Sequence, residues 1–278
     1  MVEPMHKVIG GKDFERRKIV VDSFAGLKIS LGAAGAIASS GGRVDKRGGP
    51  GAGSGIGGGT HHAGTTVFTW GMGYQGQLGA KFRRGDMRCR PRPTEVALPP
   101  DVTAIKVACG GFHTAVLTDD GRVFSWGEGK HGQLGYSCVA QQDTPMPVAM
   151  LSELRVVVSH LACGRHHTVV TDTKGSLWAW GCGKQGQLGD GERSVRREEP
   201  EKIKKHNTDS GRQDFAGTTQ FFHVSCGARS TFAQATDGRV FSFGAGKQGQ
   251  LGVSRLPGHR SRCGFLRKIR SRGPGGDH

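Results

Sequence analysis

The stretch "VFSWGEGKHGQLG", residues 123–135, decides how this chain is read. A short apolar strand runs into Gly127-x-Gly129-x-x-Gly132, the spacing of a dinucleotide-binding loop. Such a loop must open a helix inside a βαβ unit. Here it is followed by "YSCVAQQDTPMP" (136–147), with two prolines and no helical periodicity. The fingerprint therefore fails, and the glycines need another explanation.

Repetition supplies it. The same pattern stands at 67–79 ("VFTWGMGYQGQLG"), 177–189 ("LWAWGCGKQGQLG") and 240–252 ("VFSFGAGKQGQLG"). The aromatic anchors Trp70, Trp126, Trp180 and Phe243 are 56, 54 and 63 residues apart. Three copies are preceded by a second shared element: "ACGGFHTAVLTDDGR" (108–122), "ACGRHHTVVTDTKGS" (162–176) and "SCGARSTFAQATDGR" (225–239). Each reads as a strand, a tight turn at Asp-Gly or Lys-Gly, and a second strand ending on the aromatic. A period near 55 residues, built of short strands with one glycine-aromatic motif per unit, indicates β-propeller blades.

Within this scheme the glycines are structural. Gly127, Gly129, Gly132 and Gly135, and their counterparts Gly71, Gly73, Gly76 and Gly79, Gly181, Gly183, Gly186 and Gly189, and Gly244, Gly246, Gly249 and Gly252, are expected at positive φ or where backbones crowd. Leu78, Leu134, Leu188 and Leu251 are expected to plug the space between neighbouring units. Gln133 and its equivalents are expected to satisfy backbone groups of the turn through their amides.

Trp-Gly-x-Gly-x-x-Gly-Gln-Leu-Gly, preceded by Cys-Gly-x-x-His-Thr and Asp-Gly-Arg-Val, resembles the regulator-of-chromosome-condensation repeat family over roughly residues 66–252. The resemblance implies an all-β propeller. Propellers of this family generally close with seven blades, whereas three full intervals plus a leading strand supply about four. The ring is expected to be incomplete, the chain a fragment or a part completed by a partner, and the isolated chain to self-associate through its open edge.

The remaining composition fits a propeller with basic extensions. Hydrophobic residues make up 35% of the 278, glycine accounts for 48, and the net charge is +16. The excess sits in residues 1–60, in the loop 81–92 ("KFRRGDMRCRPR") and in residues 253–278. We expect a weakly ordered segment and Gly-rich linker over 1–60, a partial propeller over 61–252, and a disordered basic tail over 253–278. The connection 190–217, with seven acidic and seven basic residues, suits a solvated loop. No apolar run is long enough to span a membrane. Seven cysteines without a Cys-x-x-Cys fit reduced thiols, and nuclear or cytoplasmic location is expected.

No motif of hydrolase, metalloprotease or phosphate-loop chemistry occurs, so no metabolic active site is expected, and no cofactor. Cys109 with His113, and Cys163 with His166 and His167, suggest zinc at first sight. The cysteines fall at one position of successive blades, however, and Ser230 replaces the histidine in the last copy. They read as packing residues, with each histidine bonding its own blade's backbone, and no metal is expected. The variable positions of the glycine turns, Tyr74, Glu128, Lys130, His131, Lys184 and Lys247, are the candidate partner face. Lys81, Arg83, Arg84, Arg88, Arg90 and Arg92 are candidate phosphate contacts for DNA or nucleosomes, as are Arg260, Arg262, Arg267, Lys268, Arg270 and Arg272.

The family resemblance implies guanine-nucleotide exchange on a Ran-like small GTPase at chromatin, or alternatively a non-catalytic scaffold. Exchange members carry acidic residues just before the repeat histidine, and the corresponding pairs Gly111-Phe112, Arg165-His166 and Ala228-Arg229 contain none.

Overall fold

The computed structural model describes residues 18–19, 35–40, 65–82, 88–137, 140–191, 196–203, 219–252 and 267–268. Sixteen strands among them form four antiparallel, four-stranded sheets, each a simple meander. The first holds β1 (Lys18–Ile19), β2 (Gly35–Ser40), β3 (Thr65–Met72) and β4 (Cys89–Val96). The second holds β5 (Ala104–Cys109), β6 (His113–Thr118), β7 (Val123–Glu128) and β8 (Gln141–Pro147). A five-residue helix, α1 (Ala149–Glu153), leads into the third, β9 (Val158–Cys163), β10 (His167–Asp172), β11 (Leu177–Gly181) and β12 (Arg197–Lys202). The fourth holds β13 (Phe221–Cys226), β14 (Ser230–Ala235), β15 (Val240–Gly244) and β16 (Arg267–Lys268).

The repeat maps onto these sheets register for register. Trp126 pairs with Thr114, Trp180 with Thr168 and Phe243 with Thr231, while Trp70 pairs with Gly35. The four aromatic anchors thus hold one position in four separate sheets. The hairpins between the second and third strands turn on Gly121, Gly175 and Gly238, all at positive φ, as the Asp-Gly and Lys-Gly pairs require.

The core lies between sheets rather than within them. Val67 and Val96 of the first sheet pack with Ala104, Val107, Val116 and Trp126 of the second. Ala115, Leu117 and Val123 of the second pack with Val158, Leu161, Val170 and Trp180 of the third, and Leu151 of α1 joins them. Val169, Ala179 and Leu188 of the third meet Phe221, Val224, Phe241 and Phe243 of the fourth. Sheets stacked face to face, each burying the next one's aromatic, are propeller blades with an incomplete ring.

Trp126, Trp180 and Phe243 are fully buried, whereas Trp70 is half-buried. The buried tryptophans each sit on the preceding blade's glycine turn. Trp126 Nε1 donates to the Gln77 carbonyl at 3.0 Å and Trp180 Nε1 to the Gln133 carbonyl at 2.9 Å. Leu78, Leu134, Leu188 and Leu251 are all buried, as their plugging role requires. The glutamines close their own turns: Oε1 of Gln77, Gln133, Gln187 and Gln250 accepts from the backbone N–H two residues earlier.

Gly132 shows why no side chain is tolerated there. It has φ +79°, and a Cβ would sit against the Arg197 carbonyl and Glu198 on the outer strand of the following blade. Gly249, its counterpart in the fourth blade at φ +78°, has no atom of the described residues within 4 Å of the same point. Gly73, Gly129, Gly183 and Gly246 are not at positive φ.

The expected bond from the repeat histidine to its own blade is replaced by one across the seam. His113 Nε2 meets Thr168 Oγ1 of the next blade at 2.9 Å, and His167 Nε2 meets Thr231 Oγ1 at 3.0 Å. The own-blade geometry is closed by backbone instead, Gly110 N–H donating to the His113 carbonyl and Gly164 N–H to that of His167. Among the described residues no helix is long and apolar enough to cross a membrane.

Candidate partner-binding face

In the last three blades the glycine turn and the loop joining the first two strands emerge on one face, because backbone bonds tie them together. Glu128 N–H donates to the Phe112 carbonyl, Cys182 N–H to that of His166, and Ala245 N–H to that of Arg229, each at 2.8 Å. The fourth residue after each anchor aromatic is Tyr74, Lys130, Lys184 or Lys247, and all four are exposed. Tyr74 is 52% exposed, large for an aromatic ring. Arg165 and Arg229 are exposed on the neighbouring loops of the same face. The face is therefore cationic with one aromatic.

Glu128 and His131, placed on this face by sequence, sit deeper. Glu128 is 8% exposed, and its Oε2 accepts from Gln133 Nε2 at 3.1 Å and lies 3.3 Å from His166 Nδ1. The adjacent His166 imidazole is the main reason its carboxyl is held below the usual range. His131 is half-buried and packs edge-on against His166, with centroids 4.5 Å apart. Phe112 stacks on His166 at 5.5 Å, and the Arg165 guanidinium lies 5.7 Å above the Phe112 ring. Desolvation lowers the His131 pKa. Sequence reasoning grouped His166 with Cys163 and His167. The fold separates them, sending His167 into the seam and His166 onto the face.

The inner strands β5, β9 and β13 pack against one another in turn. They carry Lys106, His160 and His223 at one level and Cys109, Cys163 and Cys226 three residues on. The His160 and His223 rings meet at 5.1 Å. Desolvation lowers the pKa of Lys106 and of both histidines. Burial pushes the Cys109 thiol up to about 11 and that of Cys226 to about 12, and raises Cys163 as well. Such thiols are packing groups rather than nucleophiles. All five cysteines among the described residues are free.

Only some of the candidate phosphate contacts fall among the described residues. Lys81, Arg88 and Arg92 are exposed. Arg88 Nη1 reaches back to the Tyr74 carbonyl at 3.4 Å, and Arg90 is half-buried with its guanidinium 4.9 Å above the Phe82 ring. Arg83, Arg84, Arg260, Arg262, Arg270 and Arg272 lie outside the described residues, whereas Arg267 and Lys268 form β16 against β15.

Comparison with known proteins agrees with this architecture. The family model "Regulator of chromosome condensation (RCC1) repeat" matches residues 66–117, 120–171 and 174–234, and a second model of that repeat matches 104–133 and 158–187. The ultraviolet-B receptor UVR8 of Arabidopsis thaliana is 34% identical over 194 residues, 69% of this chain and 40% of that protein. The probable E3 ubiquitin-protein ligase HERC6 of Homo sapiens is 33% identical over 196 residues, 70% of this chain but 18% of that one. Among solved structures, human WBSCR16 aligns with TM-score 0.60 at 26% identity, covering 76% of this chain and 50% of its own. Prp20p of Saccharomyces cerevisiae aligns with TM-score 0.59 at 25% identity, covering 74% and 46%. The chain thus spans half or less of each of these proteins. It belongs to the regulator of chromosome condensation (RCC1) repeat family.

Proposed function

We propose that this chain is a protein-docking propeller whose cationic face receives an acidic protein surface, without chemistry of its own. The observation that carries the reading is the alignment of Tyr74, Lys130, Lys184 and Lys247 at one position of four successive turns, beside Arg165 and Arg229. Blades stacked around an axis present such residues as a row, which suits a broad partner better than a small molecule. Charge of one sign on that row speeds encounter and selects partners of the opposite sign.

The most specific form of this reading is guanine-nucleotide exchange on a Ran-type small GTPase. It is supported by likeness to Prp20p, whose structure was reported with its binding properties to Gsp1p and histones. An exchanger works by linkage: it binds the nucleotide-free GTPase more tightly than the loaded one, so nucleotide affinity falls. The alternative is a scaffold that docks a partner and leaves its nucleotide in place. Gly111-Phe112, Arg165-His166 and Ala228-Arg229 favour it, since these loops carry no acidic side chain.

Release of fluorescent GDP from a Ran-type GTPase, run beside a salt-titrated binding assay, separates the two. Exchange predicts accelerated release at saturating chain. Scaffolding predicts unchanged release together with salt-sensitive binding.

A further inference from the structure

We propose that Glu128, His131 and His166 form a binding site for one divalent transition ion of the zinc class, at the seam between the second and third blades. One carboxylate oxygen and two imidazole nitrogens lie within 4.8 Å of one another. Two ligands come from the end of β7 and the turn after it, and the third from the loop between β9 and β10.

The trio is not part of the repeat's own machinery. The positions equivalent to Glu128 are Met72, Cys182 and Ala245, and those equivalent to His131 are Gln75, Gln185 and Gln248. His166 is matched by Phe112 and Arg229. Four turns are built on one plan, and this seam alone brings three metal-ligating side chains together among the described residues.

The donors are also held for the purpose. Gln133 donates from Nε2 to Glu128 Oε2 at 3.1 Å, and its Oε1 accepts from the His131 N–H at 2.9 Å, so one side chain fixes both the carboxylate and the turn. This is the outer-shell support that metal ligands ordinarily carry. His166 is placed by its carbonyl, which accepts from Cys182 N–H at 2.8 Å. Its Nδ1 has no access to solvent and no well-formed hydrogen bond, although Glu128 Oε2 sits 3.3 Å away. Donors bound to tetrahedral zinc at about 2.1 Å lie about 3.4 Å apart. Glu128 and His166 already stand at that spacing, and the closing motion falls to the half-buried His131.

The donor set names the class of ion. Two imidazoles and one carboxylate suit zinc and its first-row neighbours and leave a coordination position open to water or to a partner's side chain. Lys130, Lys184 and Arg196 lie close enough to act on Glu128 or His131. Their positive potential opposes ions held by charge alone, such as magnesium or calcium, more than ions held by nitrogen bonds.

The test is cobalt titration of the full chain, read by visible absorption and calorimetry, with His131→Ala, His166→Ala and Glu128→Gln in parallel. The expected result is one saturable Co²⁺ per chain with a tetrahedral-type visible band, displaced by Zn²⁺ and untouched by excess Mg²⁺. Each substitution is expected to remove the band and weaken binding by at least about 10-fold. Absence of a saturable signal overturns the proposal. So does a signal that His131→Ala leaves intact, since other histidines of the chain would then be the ligands, and so does displacement by Mg²⁺. His131 is only half-buried, so its variant decides the matter even where His166→Ala fails to fold, and unchanged near-ultraviolet circular dichroism certifies that variant's fold.

Discussion

His113 Nε2 and Thr168 Oγ1, on adjacent blades, stand 2.9 Å apart, and the same threonine hydroxyl donates to the Gln133 carbonyl at 2.8 Å. Because that hydroxyl commits its only proton to the carbonyl, it accepts from the imidazole, which fixes the proton on Nε2. Nδ1 then faces Gly110 with no partner, where a bound proton would be buried and unpaired. His167 repeats the arrangement with Thr231 and Gln187. Desolvation accordingly pushes both imidazoles down to about 3, with neighbouring histidines adding to the effect.

Acid is therefore expected to open these seams. An unfolded histidine titrates near pH 6.5, so between about 6.5 and 3 the unfolded chain binds protons that the folded chain refuses. Stability is fully present above about pH 6.5 and falls by about 1.4 kcal/mol per pH unit for each histidine below it. His131, His160 and His223, also lowered, act in the same direction. Urea unfolding at pH 5.5 should show roughly 3 kcal/mol less stability than at pH 7.5 from the two buried histidines. His113→Ser, which copies Ser230 of the fourth blade, should remove about half of that difference.

Gly132 and Gly249 share a backbone conformation but not a neighbourhood. Gly132→Ala meets the Arg197 carbonyl as well as the left-handed penalty of about 1–2 kcal/mol, whereas Gly249→Ala carries the penalty alone. Thermal unfolding should show the first variant several degrees below the second. Equal losses would mean that the blade seam does not press on Gly132.

Trp126→Phe tests the bond from the indole to the Gln77 carbonyl. Thr114 Oγ1 continues to donate to that carbonyl at 2.8 Å, so the acceptor is not orphaned. The expected cost is about 1–2 kcal/mol from the lost hydrogen bond and the smaller ring. Phe243 occupies the same position in the fourth blade, which makes the substitution sterically acceptable.

Charge reversal at the tips of the turns probes docking. Lys130→Glu with Lys184→Glu should leave the unfolding midpoint nearly unchanged, because both side chains are exposed. Association with an acidic partner should weaken, mainly through a slower on-rate and a shallower salt dependence, measured by surface plasmon resonance across a salt series.

Much of this architecture is legible in the sequence because a propeller repeats its constraints. Trp126 and Trp180 mark the same pocket, Gly132 the same crowded turn, and Gln133 the same internal bond. Three things escape that logic. The first blade draws β2 from "GAIASS" (35–40), which carries none of the Cys-Gly-x-x-His-Thr pattern and stands far from β3 in sequence. The histidine's acceptor lies on the next blade, and spacing along one chain does not say which neighbour a buried side chain faces. Glu128, His131 and His166 meet only because two blades are stacked, and they occupy the positions where repeats differ, which a search for shared residues discards. The exposed lysines, by contrast, were visible as the variable positions of a fixed turn.

The bonds that seal the glycine turns run in one direction along the chain: the Gln77, Gln133 and Gln187 carbonyls all receive protons from the module that follows. On the ribosome, a module leaving the exit tunnel cannot seal its glycine turn until its successor has emerged. Closure therefore trails synthesis by one repeat, and a pause placed between repeats would hold one aromatic socket open to water and to chaperones for its whole duration.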